Sequence, residues 1–574
     1  MNAPSLFQIP SARPWLASYP QGVPREIDTS KLGTINDLHD RSVREFANLP
    51  VIDSFGVTLN YAQLGRATQA VSAWLQSKGL GPGDSIAIMM PNIAAYFPVV
   101  FGILKAGCTV VNVNPLYTPH ELVHQLKDSG AKLIFVLAQF EHTVKSVLPD
   151  VPLMNVVRVN LGDMLGFKGR LVTFVGGRKS PVKANGRIAT ATDFITVLSA
   201  GRNLPFKPVA VMPDAIAFIQ YTGGTTGIAK GAALRHSNLT ANLAQIAAWF
   251  ESTHGHMAAR FVMVSPLPLY HIYALTVSCL YVVAHGGCSL LITNPRDMRG
   301  FVKTLKSRRF TMFAGLNTLY NSLADTPGIE TVDFSHLTVS LAGGMATQSA
   351  VAEKWKVLTG KPIIEGYGLS ETSPMISLNF PDNKTFTGTV GYPWPSTDVS
   401  IRGSDGLELP IGSVGELCVK GPQVMAGYWN RPDETAKAMT SDGYFRTGDL
   451  AIMLPDGQIK IVDRLKEMII VSGFNVYPNE VEDVLALHPK VREAAVIGLP
   501  DPHSGEQVAA YIVRRDDSLS ADEIRAFAAK SLTKYKVPKT IVFRDDLPKS
   551  NVGKILRRAL RDEVTAAASE KKPG

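Results

Sequence analysis

Along residues 58–135 the apolar positions follow two rhythms in turn. LNYAQLGRATQAVSAWLQSKGL sets its apolar side chains three and four apart, the spacing of one helix face, and the pattern stops at Gly79. SIAIMM is a short apolar run of β type. AYFPVVFGILKAG reads as a helix closed by glycine, CTVVNVN as a strand, and TPHELVHQLKDSG as a capped helix followed by the strand KLIFVL. Strand–helix–strand alternation of this kind predicts a parallel α/β sheet. The rhythm returns after Asp214 in AIAFIQYT, RFVMVSPLPLY, FTMFAGLNTLY, LTVSLAGGM and PIIEGYGLSE. Several of these runs end in glycine or small polar residues. Ligands of open α/β sheets lie beyond the carboxyl ends of the strands, so these ends mark a candidate site.

Residues 388–462 change character. TGTVGYPWPSTDVSIRG, GSVGELCVKG and GQIKIVD are rich in glycine, proline and β-formers and predict a smaller β-rich subdomain. After Arg464 a compact α+β pattern runs through EMIIVSG, PNEVEDVLALH, VREAAVIGLP, EQVAAYIVR and SADEIRAFAAKSL. The expected fold is therefore α/β: a large N-terminal domain, residues 1–463, of two α/β subdomains plus a β-rich subdomain, then a small α+β C-terminal domain, residues 464–574. No internal repeat is visible.

Composition narrows the function classes. Apolar residues make up 45% and charged residues 19% of 574 residues, a soluble globular balance able to bury a large core. The charge, 58 − 49 = +9, is a modest basic excess that suits anionic ligands or acidic membrane surfaces. Without zinc-finger spacing or an aromatic–basic RNA signature, no nucleic-acid partner is expected. Cys108, Cys279, Cys288 and Cys418 form no CxxC pair and read as reduced thiols of a cytoplasmic protein. MNAPSLFQIPSARPW has prolines and polar residues where a signal peptide needs an apolar core. The longest apolar stretch, YFPVVFGILKAGCTVVNV, is interrupted by Pro98 and Lys105, short of the roughly 18–20 residues of a membrane span. Any membrane contact should be peripheral, on the inner face. One segment bears on this: in residues 158–208 nine Lys and Arg residues face only Asp163 and Asp193, and MLGFKGRLVTFVGGRK mixes apolar with basic positions. Two readings stay open, a surface that lies on an anionic membrane and a solvated excursion between core elements.

The candidate chemistry starts at YTGGTTGIAKGA, residues 221–232. Glycines after a strand free backbone N–H groups to point at an anion; Thr222, Thr225 and Thr226 add hydroxyls and Lys230 a charge. A Walker loop ends in Gly-Lys-[Ser/Thr], whereas here Ile228 and Ala229 separate Gly227 from Lys230, and Gly231 follows. The loop reads as a phosphate holder of another kind. In GYGLSET, residues 366–372, Tyr367 offers a flat face for a purine, Ser370 a hydroxyl, and Glu371 a hard oxygen suited to Mg²⁺. Asp449 in YFRTGDL could accept both hydroxyls of a ribose, and Arg464 could donate to the same sugar or to a phosphate. Lys554 in LPKSNVGKILRR sits on a turn before a basic helix. Taken singly, Asp449 and Arg464 read more often as salt-bridge members and Lys554 as a surface lysine.

Their order is more specific. The glycine loop, PLPLYHIYAL, LAGGM, EGYGLSET, YFRTGDL, DRLKEMI and PKSNVGK occur in one sequence from about Thr58 to Glu563 that resembles the adenylate-forming superfamily of acyl-CoA synthetases, luciferases and adenylation domains. VNVNPLYTPHELVHQLKDSGA, LLITNPRD and VSGFNVYPNEVEDV look most like bacterial long-chain fatty acid–CoA ligase. The resemblance implies two half-reactions. A fatty carboxylate attacks the α-phosphate of ATP·Mg²⁺ to give acyl-AMP and pyrophosphate, and the CoA thiol then takes the acyl group. By similarity Thr222, Gly223, Gly224, Thr225, Thr226, Gly227 and Lys230 hold the β- and γ-phosphates, Ser370 touches the α-phosphate, and Glu371 holds Mg²⁺. Asp449 and Arg464 fix the ribose, and the adenine lies by Tyr367 with Gly343, Gly344, Glu365, Gly366 and Gly368 near it. Lys554 bridges carboxylate and α-phosphate, and His271 lies near the acyl carboxylate.

The same resemblance implies a mobile C-terminal domain that turns about a hinge at Lys466, with Gly473 on the CoA path and Lys534, Lys536, Lys539, Arg557 and Arg558 as candidate CoA contacts. Tyr270, Tyr273 and Gly315 are candidates for the acyl pocket. Ser370 stands where threonine is commoner, Ala229 where proline is, and Gly223 where serine is. The alternatives are a medium-chain or aryl acid, or a carrier-protein thiol as acceptor, against which no carrier domain is seen. A non-catalytic lipid-binding protein is a further alternative, which Lys554, Glu371 and the threonine loop argue against. A homodimer is left open.

Overall fold

The computed structural model describes residues 13–151, 153, 155–178, 186–222, 229–254, 260–550 and 553–570. Its strands lie in sheets of nine, eight, four and five. The eight-stranded sheet has Ser85–Met89, Thr109–Asn112, Ala131–Leu137, Asn155–Val159 and Ile216–Thr222 in parallel pairing, and an antiparallel edge begins at Lys230–Arg235. In the nine-stranded sheet Val262–Ser265, Cys288–Leu291, Met312–Gly315, Val339–Ala342 and Ile363–Gly368 are parallel. The parallel α/β expectation holds in both.

Local chemistry sets the elements between. Helix Pro119–Ser129 starts at a reciprocal cap, Thr118 with Glu121, and stops at Gly130, whose φ of +62° is left-handed. Helix Tyr61–Ser77 begins two residues later than its apolar spacing suggests, because Asn60 caps it and Leu59 belongs to the strand Val57–Asn60. Helix Tyr96–Lys105 is apolar all round, and Tyr96 to Leu104 are buried. It lies in one core shared by both large sheets, with Ile86 and Val110 from one and Val264 and Phe313 from the other.

Residues 388–462 supply most of a four-stranded antiparallel sheet, Asp398–Arg402, Val414–Lys420, Phe445–Met453 and Ile459–Arg464, as their composition suggests. That sheet keeps Arg464 as its last residue, so the C-terminal unit follows it. This unit has its own five-stranded sheet and its own core around Val481, Leu485, Val496, Ile512 and Ile524. It sits against the rest of the chain through hydrogen bonds from Thr318 Oγ1 to the Gly553 carbonyl, 2.9 Å, and from the Ser349 amide to Asp483, 3.2 Å, and through the ion pair Arg515–Asp325, 2.9 Å. The cysteines are buried and unbridged. Among the described residues no helix is long and apolar enough to cross a membrane.

Candidate active site

The fold brings several of the predicted residues to one place. Strands Phe445–Met453 and Ile459–Arg464 pair in a register that sets Asp449 opposite Arg464, and Arg464 Nε lies 3.0 Å from Asp449 Oδ1. The other oxygen of Asp449 accepts from the Tyr367 hydroxyl at 2.5 Å. A cavity of about 740 Å³ opens here, with Gly344, Glu365, Tyr367, Asp449, Arg464 and Lys554 in its wall. Gly366 and Gly368 line it too, and packing requires both glycines: a Cβ on Gly366 would meet the Met375 methyl at 2.7 Å, and one on Gly368 the Pro374 carbonyl at 1.9 Å. Gly344 has φ +82° and open space beside it, and Gly343 packs next to the Tyr273 ring. Glu365 is buried; burial pushes its carboxyl up to about 8, and Oε1 accepts from the Thr347 amide at 3.0 Å.

Lys554 comes from the other unit. The turn Ser550–Lys554 closes through the Ser550 amide on the Lys554 carbonyl, 2.7 Å, and Gly553 at φ +90° bends the chain inward. Burial, with Arg464 nearby, lowers the Lys554 ammonium to about 8. His271, at the start of the turn Ile272–Ala274, is within the field of Lys554; burial first and that charge second hold it at about 4, so its ring is neutral near pH 7. Glu371 lies in the short helical turn Ser370–Thr372 and is buried, which raises its carboxyl above the usual range. The Tyr428 hydroxyl donates to it at 2.9 Å. Ser370 is half-buried beside it. Among the described residues no cluster of three or more His, Cys, Asp or Glu forms a protein-only metal cage.

Gly223, Gly224, Thr225, Thr226 and Gly227 lie outside the described residues. Their flanks face each other as partners in an antiparallel pair, Thr222 with Lys230. Lys230 is paired rather than free, 2.5 Å from Glu434 and over the Tyr428 ring. Lys466 is exposed in the turn between the strands ending at Arg464 and starting at Ile469. Gly473, φ +83°, follows Ser472, φ +51°, in a tight hairpin between Ile469–Val471 and Phe474–Val476.

Two expectations need correction, Arg557 as a surface cation and Gly315 as room for an acyl chain. Arg557 is no surface contact for CoA. Its side chain is 11% exposed, bidentate on Glu482 at 2.9 and 2.8 Å, and reaches Asp463, Glu467 and Asn479 as well. Lys536 is held by Glu480 at 2.6 Å, Lys539 lies 3.7 Å from Asp501, and Arg558 lies 3.5 Å from Asp562, while Lys534 is exposed. Of the acyl-pocket candidates, Tyr273 lines a narrow apolar space of about 20 Å³ with Ile246, Val277, Leu341, Gly343 and Trp394. Gly315 instead packs on Tyr320, where a Cβ would fall 2.8 Å from the ring, and the Tyr270 carbonyl accepts from Gln220 at 2.7 Å. The wall at Val277 is a π-helical stretch, Leu275–Leu280, a rare form that recurs at functional sites. Sequence reasoning missed Tyr428, Glu434 and Glu482, partners of Glu371, Lys230 and Arg557. Each is distant in sequence from the group it holds, and no spacing rule links them.

An enclosed cleft of this kind, between a parallel α/β body and a small cap that inserts one lysine, defines a nucleotide-handling α/β enzyme. The AMP-binding enzyme family matches residues 39–429, and the AMP-binding enzyme C-terminal domain matches residues 480–554; the chain belongs to this family. It is 48% identical to the long-chain-fatty-acid–CoA ligase of Yersinia pestis, over 96% of this chain and 98% of that protein. It is 36% identical to the Bacillus subtilis protein of the same name, over 97% and 99%, and 33% identical to a feruloyl-CoA synthase of Amycolatopsis sp, over 88% and 94%. Among solved structures it resembles ATP-bound MatB from Rhodopseudomonas palustris, TM-score 0.79 at 27% identity, over 92% of this chain and 99% of that one. The apo form of the same protein gives 0.71.

Proposed function

We propose that this protein activates a long-chain fatty acid with ATP to acyl-AMP and pyrophosphate, then transfers the acyl group to CoA with release of AMP. The observation that carries the reading is the insertion of Lys554 from the C-terminal unit into a cleft that already holds Asp449, Arg464 and Tyr367. The full-length similarity to long-chain ligases supports the substrate class. The better superposition on an ATP-bound relative supports an arrangement for the first half-reaction.

Adenylation puts charge on phosphoryl oxygens and makes no covalent bond to the enzyme, so the protein has to position and neutralise. Asp449 exchanges its contacts with Tyr367 and Arg464 for the ribose hydroxyls. The adenine lies along Tyr367 between Gly343, Gly344 and Glu365, with Gly366 and Gly368 keeping the strand low enough for it. Lys554 brings its ammonium between carboxylate and α-phosphate, and Ser370 donates to that phosphate. The 222–230 loop and Lys230 hold the departing pyrophosphate, with Lys230 leaving Glu434. Neutral His271 adds no competing charge at the acyl carboxylate. Glu371 fits one Mg²⁺, a buried hard oxygen whose carboxylate form a cation would favour; the bound ion offsets charge on the phosphate oxygens. The acyl chain enters by widening the apolar space beside Tyr273 and Val277.

For the second half-reaction the unit after Arg464 turns about Lys466, withdrawing Lys554 and bringing Gly473 to the pantetheine path. ATP, CoA and fatty acid are the partners, with the bilayer as the source of the acid. The narrow acyl space and the likeness to a feruloyl-CoA synthase favour one second reading, an aryl acid. Pyrophosphate release and thioester yield measured across acids of two to eighteen carbons and feruloyl-type acids test both. A maximum at long chains is expected; a maximum at aryl acids, or pyrophosphate without thioester, overturns the reading.

A further inference from the structure

Helix Gly166–Arg178 carries an outward apolar row. Phe167, Leu171 and Phe174, four and three residues apart and so on one face, are 78%, 55% and 56% exposed. The opposite face seats the helix. Gly169 packs so closely on the preceding turn that a Cβ would fall 2.0 Å from the Gly162 carbonyl oxygen, and Thr173 accepts from the Gly162 amide at 3.1 Å. The face shown to water is thus the more apolar one, the reverse of what burial dictates for a helix at the surface of a monomer.

A second segment, more than a hundred residues away in sequence, adds to the same surface. Lys168 Nζ donates to the Gly56 carbonyl at 3.3 Å, which joins the first turn of the helix to the tip of the hairpin Pro50–Ser54 and Val57–Asn60. The tip is Phe55 and Gly56, with φ +50° and +72°. Such a left-handed pair is usually Asn-Gly, and a bulky residue in the first position is strained. Phe55 accepts that conformation and is 41% exposed. The hairpin thus presents an aromatic side chain at the surface, on the turn that Lys168 contacts.

Charge indicates what this surface meets. The helix contributes Lys168 and Arg170 and its sequence contains no Asp or Glu, while Arg308 at the hairpin is paired with Asp53 at 2.7 Å. We propose that Phe55, Phe167 and Leu171, with Lys168 and Arg170, form the docking surface for an anionic lipid bilayer, the apolar side chains entering the headgroup boundary and the two cations meeting lipid phosphates. A second copy of the chain fits less well, because a two-fold contact would set this basic face against itself. The proposal deepens the long-chain reading, in which a sparingly soluble acid is collected where it is dissolved.

The test sediments the full chain with vesicles of phosphatidylglycerol and phosphatidylcholine, or of phosphatidylcholine alone. The native protein is expected to partition onto the anionic vesicles, and less so at high salt. Lys168→Gln with Arg170→Gln should lower that partition by about twenty-five-fold, about fivefold for each basic residue near an anionic surface. Phe55→Ser with Phe167→Ser should lower it on both vesicle types. Pyrophosphate release from a short, water-soluble acid should stay unchanged in every variant, which shows that the fold and site are intact. Native partition in the variants, or equal binding of the native protein to both vesicle types, overturns the proposal. So does a dimer that the substitutions dissolve without any vesicle binding. The acid series fails independently of vesicle binding, so the two readings can fall separately.

Discussion

Replacing Lys554 with methionine removes a charge that the cleft holds at a cost. Lowering the ammonium from its ordinary 10.5 to about 8 corresponds to about 3 kcal/mol against the charged form. Burial is the larger cause and Arg464 the next, with Asp449 and Glu467 opposing them. The unfolded chain therefore binds more protons than the folded one between pH 8 and 10.5. Stability rises with pH across that window, and the full cost is present below it. Lys554→Met should then stabilise the ligand-free protein at pH 7 by up to about 3 kcal/mol, read as a higher midpoint in urea that converges on the native value above pH 10.

Activity should move the other way. The reacting carboxylate and α-phosphate are the anions that make the charge favourable, so losing it should slow adenylation by about a hundred- to a thousandfold, the cost of one preorganised donor. Pyrophosphate exchange measures that half, and thioester formation from supplied acyl-AMP measures the other, which should be nearly unaffected. In the native enzyme kcat/KM for adenylation should decline above pH 8, because that ratio reports the free enzyme. Equal losses in both half-reactions, or an alkaline decline that persists in Lys554→Arg, would refute the assigned role.

Three further outcomes are expected. Arg557→Met leaves Asp463, Glu467 and Glu482 buried without their common cation, at a cost of about 3–5 kcal/mol, seen as lost hydrogen-exchange protection in helix Pro478–Ala486; unchanged protection would show the cluster to be dispensable. Glu371→Gln should lower adenylation at least about a hundredfold without recovery at high Mg²⁺. Because burial raises the Glu371 carboxyl, native kcat/KM should fall on acidification at a pH above the ordinary carboxylate range, and a decline confined to that range would contradict the burial argument. Gly368→Ala has to displace the Pro374 carbonyl from 1.9 Å, and a drop of about 3 kcal/mol or more in chemical denaturation is expected.

The sequence alone determined the local elements and the catalogue of chemistry. Periodicity separated strand from helix because each element buries one face, and Thr118, Glu121 and Gly130 marked both ends of their helix because orphan backbone groups need those residues. Asp449, Arg464, Glu371 and Lys554 became candidates because phosphate and ribose chemistry draws on few residue types, and only their order along the chain, by resemblance, implied the reaction. What pairs with what was decided only in three dimensions. Arg557 looked like one more surface cation in a basic run, and the fold sets it among three carboxylates. Lys230 read as a charge offered to phosphate, and it leans on Glu434. Gly315 looked like room for an acyl chain, and it is filled by Tyr320. In each case the partner comes from an element far along the chain, brought close by sheet register and domain packing. A side chain's charge state and freedom depend on that neighbour more than on its own identity, so spacing in sequence carries no trace of either.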